Sequence, residues 1–262
     1  MMARVVIAGA ADGIGFGIAE SYALEGADVL ISDIRGDRLA AAAARLSATS
    51  GRVVTQIADV SRTDDVDELF ARAATEFGGV DIAVDSAGVY PNTPVVEMAD
   101  DEWDRTIAVN LGGSFRFGRA AGRTLLAQGA GGVVCFISSG VHRSARPGAA
   151  HYAASKAGQV MLAQTLALEL APHAVRVNVV SPGFVDHGYR EGLGDFVTPQ
   201  YREAISRGIP LGRVGEVADI VNAVRFACAP ESQWMTGSVI TVDGGSGAGR
   251  MSLPSNTEST GA

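Results

Sequence analysis

Tyr152 and Lys156 stand four residues apart at the head of a segment with helical period, Tyr152–Ala171, so their side chains leave one helix face and can converge on one site. The chain contains 20 arginines and a single lysine, and that lysine lies one helical turn after this tyrosine. An arginine would not serve the same end. A compact ammonium can hydrogen-bond the hydroxyls of a ribose while its charge favours a neighbouring tyrosinate, which makes Tyr152 a candidate acid or base for a substrate proton. The spacing alone is common, and a structural tyrosine covering a helix start has the same signature.

A second constellation lies at the amino end. Gly9, Gly13 and Gly15 follow a short apolar run and open a helical segment at Ile14. Absent side chains there let the backbone turn sharply and let a cofactor diphosphate approach the helix N-terminus. The second apolar run ends at Asp33, where a carboxylate can accept hydrogen bonds from both hydroxyls of an adenosine ribose. A 2′-phosphate beside it would suffer repulsion of up to about 4 kcal/mol before screening, and Asp12 adds negative charge nearby. The expectation is therefore NAD(H) rather than NADP(H), with Arg35, two positions on, as the group able to neutralise a phosphate in part.

The elements that must hold these residues alternate along the chain. Apolar runs rich in Val and Ile occupy Arg4–Ala8, Asp28–Ser32, Arg52–Ile57, Asp81–Val84, Gly132–Ile137, Val175–Val180 and Val239–Val242. Helical periods occupy Ile14–Leu24, Asp37–Ala48, Asp64–Phe77, Trp103–Ala127, Tyr152–Ala171 and Glu216–Ala227. Such alternation predicts an α/β fold in a single domain: a Rossmann-like, doubly wound parallel sheet of seven strands with helices on both faces. The pattern weakens between about Asp186 and Arg213, read as a substrate loop. It weakens again over Ser246–Ala262, read as a flexible tail after a catalytic domain of residues 1–245.

Composition narrows the function. Hydrophobic residues make up 47% of the 262, enough for a sizeable core, and the net charge is −8 without a basic run, against nucleic acid or a membrane surface as partner. No long apolar stretch suggests a membrane span and no leader pattern is visible, so the expected location is cytoplasmic. Cys135 and Cys228 sit in apolar stretches without metal-ligand spacing, as buried free thiols, and no metal is expected.

Taken in order, the glycine turn, Asp59-Val60, Ala87-Gly88, Asn110, Ser139, Tyr152-Ala-Ala-Ser-Lys156, Asn178 and Ser181-Pro182-Gly183 resemble the short-chain dehydrogenase/reductase family from about Arg4 to Gly245. Ser139 precedes Tyr152 by 13 residues, as the family's catalytic serine does; Ser138 would be one short. The resemblance implies that Ser139 polarises a substrate carbonyl or holds an alcohol, Tyr152 exchanges its proton, Lys156 binds the nicotinamide ribose, and Asn110 holds a relay water. It implies cofactor contacts from Gly9, Asp12, Gly13, Ile14, Gly15 and Asp33, from Asp59 and Val60 at the adenine, and from Ser86, Ala87 and Gly88. Pro182, Gly183, Val185 and His187 complete that set, together with a homotetramer.

The family's usual residues differ at Ala8, at Asp85-Ser86 where it has two asparagines, and at His187 where it has threonine. Tyr90, His142, Tyr189 and Phe196 are expected to border a pocket for a neutral polar or cyclic secondary alcohol, oxidised with NAD. Two rivals stand beside this reading: a 3-oxoacyl-carrier-protein type ketoreductase, and a non-catalytic NAD-sensing or scaffold protein.

Overall fold

The computed structural model describes residues 2–186 and 198–249. One parallel sheet is built from β1 (Arg4–Ala8), β2 (Asp28–Asp33), β3 (Val53–Ile57), β4 (Ile82–Asp85), β5 (Gly132–Ile137) and β6 (Val175–Pro182). Just after β6, the two-residue strands β7 (Val185–Asp186) and β8 (Gly215–Glu216) pair with each other, and the sheet is completed by β9 (Val239–Val242). Its order is β3-β2-β1-β4-β5-β6-β9. The winding therefore runs outward from β1 to β3 and then restarts from β4 in the other direction. The crevice opened at the carboxyl ends of β1 and β4 is where ligands bind in sheets of this kind.

The strands read as unbroken apolar runs because both faces are covered. Val5, Ile7, Val29 and Ile31 point to one face, beneath α1 (Gly13–Leu24), α2 (Gly36–Leu46) and α8 (Val217–Cys228), where they meet Ile18, Leu39 and Ile220. Val6, Ala8 and Leu30 point to the other, beneath α3 (Thr63–Phe77), α5 (Gly113–Gln128) and α6 (Ala150–Leu170), where they meet Leu69, Phe117 and Ala163. Each large aliphatic side chain buried in this way contributes roughly 1.5–3 kcal/mol. Cys135 and Cys228 are both buried and free. Among the described residues no helix is long and apolar enough to cross a membrane.

Two segments differ from the periodic reading. The expected helix Trp103–Ala127 begins earlier, as α4 (Asp100–Ile107), because Asp100, Asp101 and Glu102 place three acids in its first turn, where the helix dipole favours them. It is then interrupted by a wider π turn, Ala108–Gly112, before α5. Within the presumed loop, α7 (Pro199–Arg207) forms instead; its nine residues are too few to display a period, although proline suits a first helical position. Of the expected tail, Ser246 is tied back to the Asp243 carbonyl at 2.8 Å, while residues 250–262 lie outside the described residues.

Candidate active site

The glycine turn links β1 to α1. Gly9 and Gly13 have φ of +72° and +56°, in the left-handed region that side chains disfavour. A Cβ on Gly9 would stand 2.7 Å from the Ala87 Cα, and one on Gly15 would stand 2.1 Å from the Gly9 carbonyl oxygen. The turn is thus closed against the loop after β4. Asp12 precedes α1 without capping it, since its carboxylate accepts from Arg35 Nη1 at 3.0 Å and Arg38 Nη1 at 3.1 Å, and no acid follows in the first turn. The first amides of α1 are left without a side-chain partner, which fits a cofactor diphosphate. Ile14 packs against the core beside them.

Asp33 ends β2 with its side chain nearly buried. It accepts from the Ala11 amide at 3.3 Å, and Arg35 embraces it through Nε (2.9 Å) and Nη2 (3.1 Å). The charge of Asp12 is likewise offset, by Arg35 and Arg38, so this corner is less negative than the sequence suggested. Of the residues expected at an adenine, Asp59 closes a small turn by accepting from the Ser61 amide at 2.8 Å, and Val60 is buried against Gly113. The Ser86 amide donates to the Ala8 carbonyl at 3.0 Å, which carries Ser86, Ala87 and Gly88 across the glycine turn.

The reactive candidates converge at the carboxyl ends of β4 and β5. Lys156 is buried, and its Nζ donates to the Ile137 carbonyl at 2.7 Å and to Gln159 Oε1 at 3.2 Å. That same Nζ stands 5.9 Å from the centre of the Tyr152 ring. Burial pulls the Lys156 ammonium down to about 8, against the opposing field of Asp85. Ser138 turns its hydroxyl inward to the Lys156 carbonyl at 3.3 Å, whereas the next residue, Ser139, is only half-buried.

Asn110 sits fully buried in the π turn, where it serves as a brace. Its Oδ1 accepts from the Val89 amide at 2.8 Å, and its Nδ2 donates to the Val89 carbonyl at 2.8 Å and to Ser155 Oγ at 3.2 Å. Ser155 in turn donates to the Tyr152 carbonyl at 2.8 Å. Gly88 keeps this space open: a Cβ there would lie 3.2 Å from Asn110 Oδ1 and 3.9 Å from Lys156 Nζ. Asn178 belongs elsewhere, fastening β6 to the Met235 carbonyl at 2.9 Å.

Around the site, Tyr90 packs edge-on against Tyr152 with ring centres 6.3 Å apart. His142 Nδ1 lies 2.8 Å from the Ser139 carbonyl and 3.2 Å from the Ser181 hydroxyl; since a carbonyl only accepts, Nδ1 carries the proton. Pro182 ends β6, the Gly183 amide donates to Val242 at 2.9 Å, and Val185 pairs with Gly215. His187, Tyr189 and Phe196 lie outside the described residues.

The buried cluster of Asp85 at the end of β4, Ser114 in the first turn of α5 and Gln159 on α6 was not anticipated from the sequence, where Asp85 stood only as a departure from the family's usual asparagine. Their signal was available as an acid closing the apolar run Ile82–Val84 and as polar positions on otherwise apolar helix faces. Nothing in the sequence showed that the three meet.

A family model described as enoyl-(acyl carrier protein) reductase matches residues 9–247. A 3-oxoacyl-[acyl-carrier-protein] reductase of Chlamydia muridarum is 35% identical, over 92% of this chain and 95% of its own. A 3beta-hydroxysteroid dehydrogenase of Eggerthella lenta is 37% identical over 92% of each. Among solved structures, a short-chain type dehydrogenase/reductase from Mycobacterium marinum superposes with a TM-score of 0.84 at 32% identity, covering 93% of this chain and 94% of that one.

Proposed function

The chain belongs to the short-chain dehydrogenase/reductase family, and from that premise we propose that it transfers a hydride between NAD(H) and a cyclic or neutral polar secondary alcohol and its ketone. The observation that carries the reading is the placement of buried Lys156 beside Tyr152, at the end of the sheet where the glycine turn leaves α1 open to a diphosphate. A nicotinamide held there would supply the acceptor for a hydride from the alcohol carbon, or the donor of one to the ketone.

The chain's own residues perform the rest. Ser139 holds the substrate oxygen by a hydrogen bond. Tyr152 takes the hydroxyl proton as the alcohol is oxidised, and gives it back in the reverse direction, so its phenol alternates between tyrosinate and neutral. Lys156 favours the tyrosinate through its charge and donates to the ribose hydroxyls. Asn110 keeps Val89 and the helix turn of Ser155 in place beneath Tyr152. Asp33 holds the adenosine ribose and disfavours a 2′-phosphate. The cyclic substrate is supported by Tyr90, which gives Tyr152 an aromatic neighbour, and by the steroid specificity in the name of the Eggerthella relative.

A second reading is favoured by Arg35 and Arg38, which stand together beside Asp12 and could receive a 2′-phosphate. It is reduction of a carrier-linked 3-ketone with NADPH, the activity named in the Chlamydia relative. Steady-state kinetics with NAD and NADP against cyclic alcohols, polyols and 3-oxoacyl thioesters separates the two. A kcat/KM at least tenfold higher with NAD and a cyclic alcohol is the expected result, and a clear preference for NADPH with the thioester would replace the first reading by the second. The exposed Phe115 on α5 and Met161 and Leu168 on α6 support the homotetramer that the resemblance implies.

A further inference from the structure

A continuous file of buried hydrogen bonds runs from Lys156 to Asp85, and its first two steps have a fixed direction. Lys156 Nζ can only donate, so the Gln159 atom 3.2 Å from it is the amide oxygen. The amide nitrogen of Gln159 then faces the other way and donates to Ser114 Oγ at 2.7 Å. Ser114 has one proton to give, with Asp85 Oδ2 at 2.6 Å and the Asn110 carbonyl at 2.8 Å as acceptors. Asp85 also accepts from the Ala87 amide at 3.2 Å. All four side chains lie in the buried interior.

When Asp85 is ionised, the Ser114 hydroxyl and the Gln159 amide align head to tail between a cation and an anion. When Asp85 is protonated, it donates to Ser114, which turns its own proton to Asn110. Either state leaves every member of the file hydrogen-bonded, so a charge can reside there without an unsatisfied group, a condition that buried polar networks must meet.

We propose that Asp85, Ser114 and Gln159 are positioning residues that hold the Lys156 ammonium in place at the site and keep it charged. Asp85 supplies the balancing carboxylate, and Ser114 and Gln159 transmit its influence and fix the direction in which Nζ points. The titratable groups that the structure places against this cluster are Asp85 from β4 and Tyr152 from α6 itself. From α5 and the π turn the facing groups, Ser114 and Asn110, are uncharged. The field of Asp85 opposes the loss of the Lys156 proton, while burial pushes the Asp85 carboxyl up. The inference rests on Lys156 acting in the proposed reaction, but its test needs neither cofactor nor turnover.

Because the chain has one lysine, a carbon-13 label at lysine Cε reports Lys156 alone. Titrated in the protein without ligands, the wild-type midpoint is expected near 8. Asp85→Asn keeps the shape and removes the charge, and is expected to lower that midpoint by about half a unit or more. Gln159→Glu places a carboxylate beside Nζ and is expected to raise it, which provides the measurement if Asp85→Asn folds poorly. In turnover, the high-pH limb of kcat, where Lys156 loses its proton, should move with the midpoint in each variant while KM for the alcohol stays within about threefold. Midpoints that remain at the wild-type value in the variants that fold would overturn the proposal. Shifted midpoints without any turnover would leave it standing and count instead against the proposed reaction.

Discussion

Arg35 lays its guanidinium across the carboxylate of Asp33 at the end of β2, with Nε–Oδ1 and Nη2–Oδ2 separations of 2.9 and 3.1 Å. In the proposed reading this paired, nearly buried carboxylate holds two ribose hydroxyls, and the same arginine would meet a 2′-phosphate. Asp33→Ala should therefore lower kcat/KM with NAD by roughly 10–100-fold, through lost charge-assisted hydrogen bonds, and release Arg35 to a phosphate. Its NADP:NAD preference should rise accordingly. An unchanged preference would remove Asp33 from the account of cofactor choice.

Gly9 and Gly78 share a left-handed backbone, with φ of +72° and +74°, yet differ in what surrounds them. A Cβ on Gly9 meets the Ala87 backbone at 2.7 Å, and one on Gly78 meets nothing within 4 Å. Gly78→Ala should cost only the conformational term, about 1–2 kcal/mol. Gly9→Ala should cost that and roughly 1–3 kcal/mol more for the backbone it displaces. Urea melting of the two variants gives the comparison, and equal losses would mean that the turn at Gly9 yields freely.

The glycine turn and Tyr152-Lys156 were legible because each depends on residues close in sequence, and the seven strands because a sheet covered on both faces must be apolar without interruption. The π turn around Asn110 was not, since Ala-Val-Asn-Leu-Gly carries no breaker stronger than glycine and continues the helical period. What widens the turn is tertiary: Asn110 reaches Val89 twice and Ser155 once. The Asp85–Ser114–Gln159 file was hidden for the same reason, as its members come from β4, α5 and α6 and meet only after the sheet has formed. Asp33 was named as a candidate ribose acid from its place at the end of the second apolar run, but its pairing with Arg35 turns on side-chain direction, which spacing does not supply.

Burial of the lone lysine predicts a pH dependence of stability. The Lys156 ammonium is pulled from 10.5 to about 8 by desolvation. Below about 8 both folded and unfolded chains hold the proton, and the folded state bears the full cost of burying it. Between about 8 and 10.5 the unfolded chain still binds a proton that the folded chain has released, so wild-type stability gains with rising pH, by up to roughly 3 kcal/mol. Lys156→Met lacks this gain. The difference in unfolding free energy between the two proteins should hold steady near neutrality and move in favour of wild type across that window; a flat difference would mean that Lys156 is not desolvated.

The central claim is that Tyr152 carries the substrate proton. Its most direct test is Tyr152→Phe, assayed with NAD and a secondary alcohol that the wild-type protein oxidises, alongside thermal melting and NADH binding. The expected result is a loss in kcat of about 10²–10⁴-fold, the usual contribution of a positioned acid or base, with melting and NADH affinity nearly unchanged. Turnover within a few-fold of wild type would contradict it.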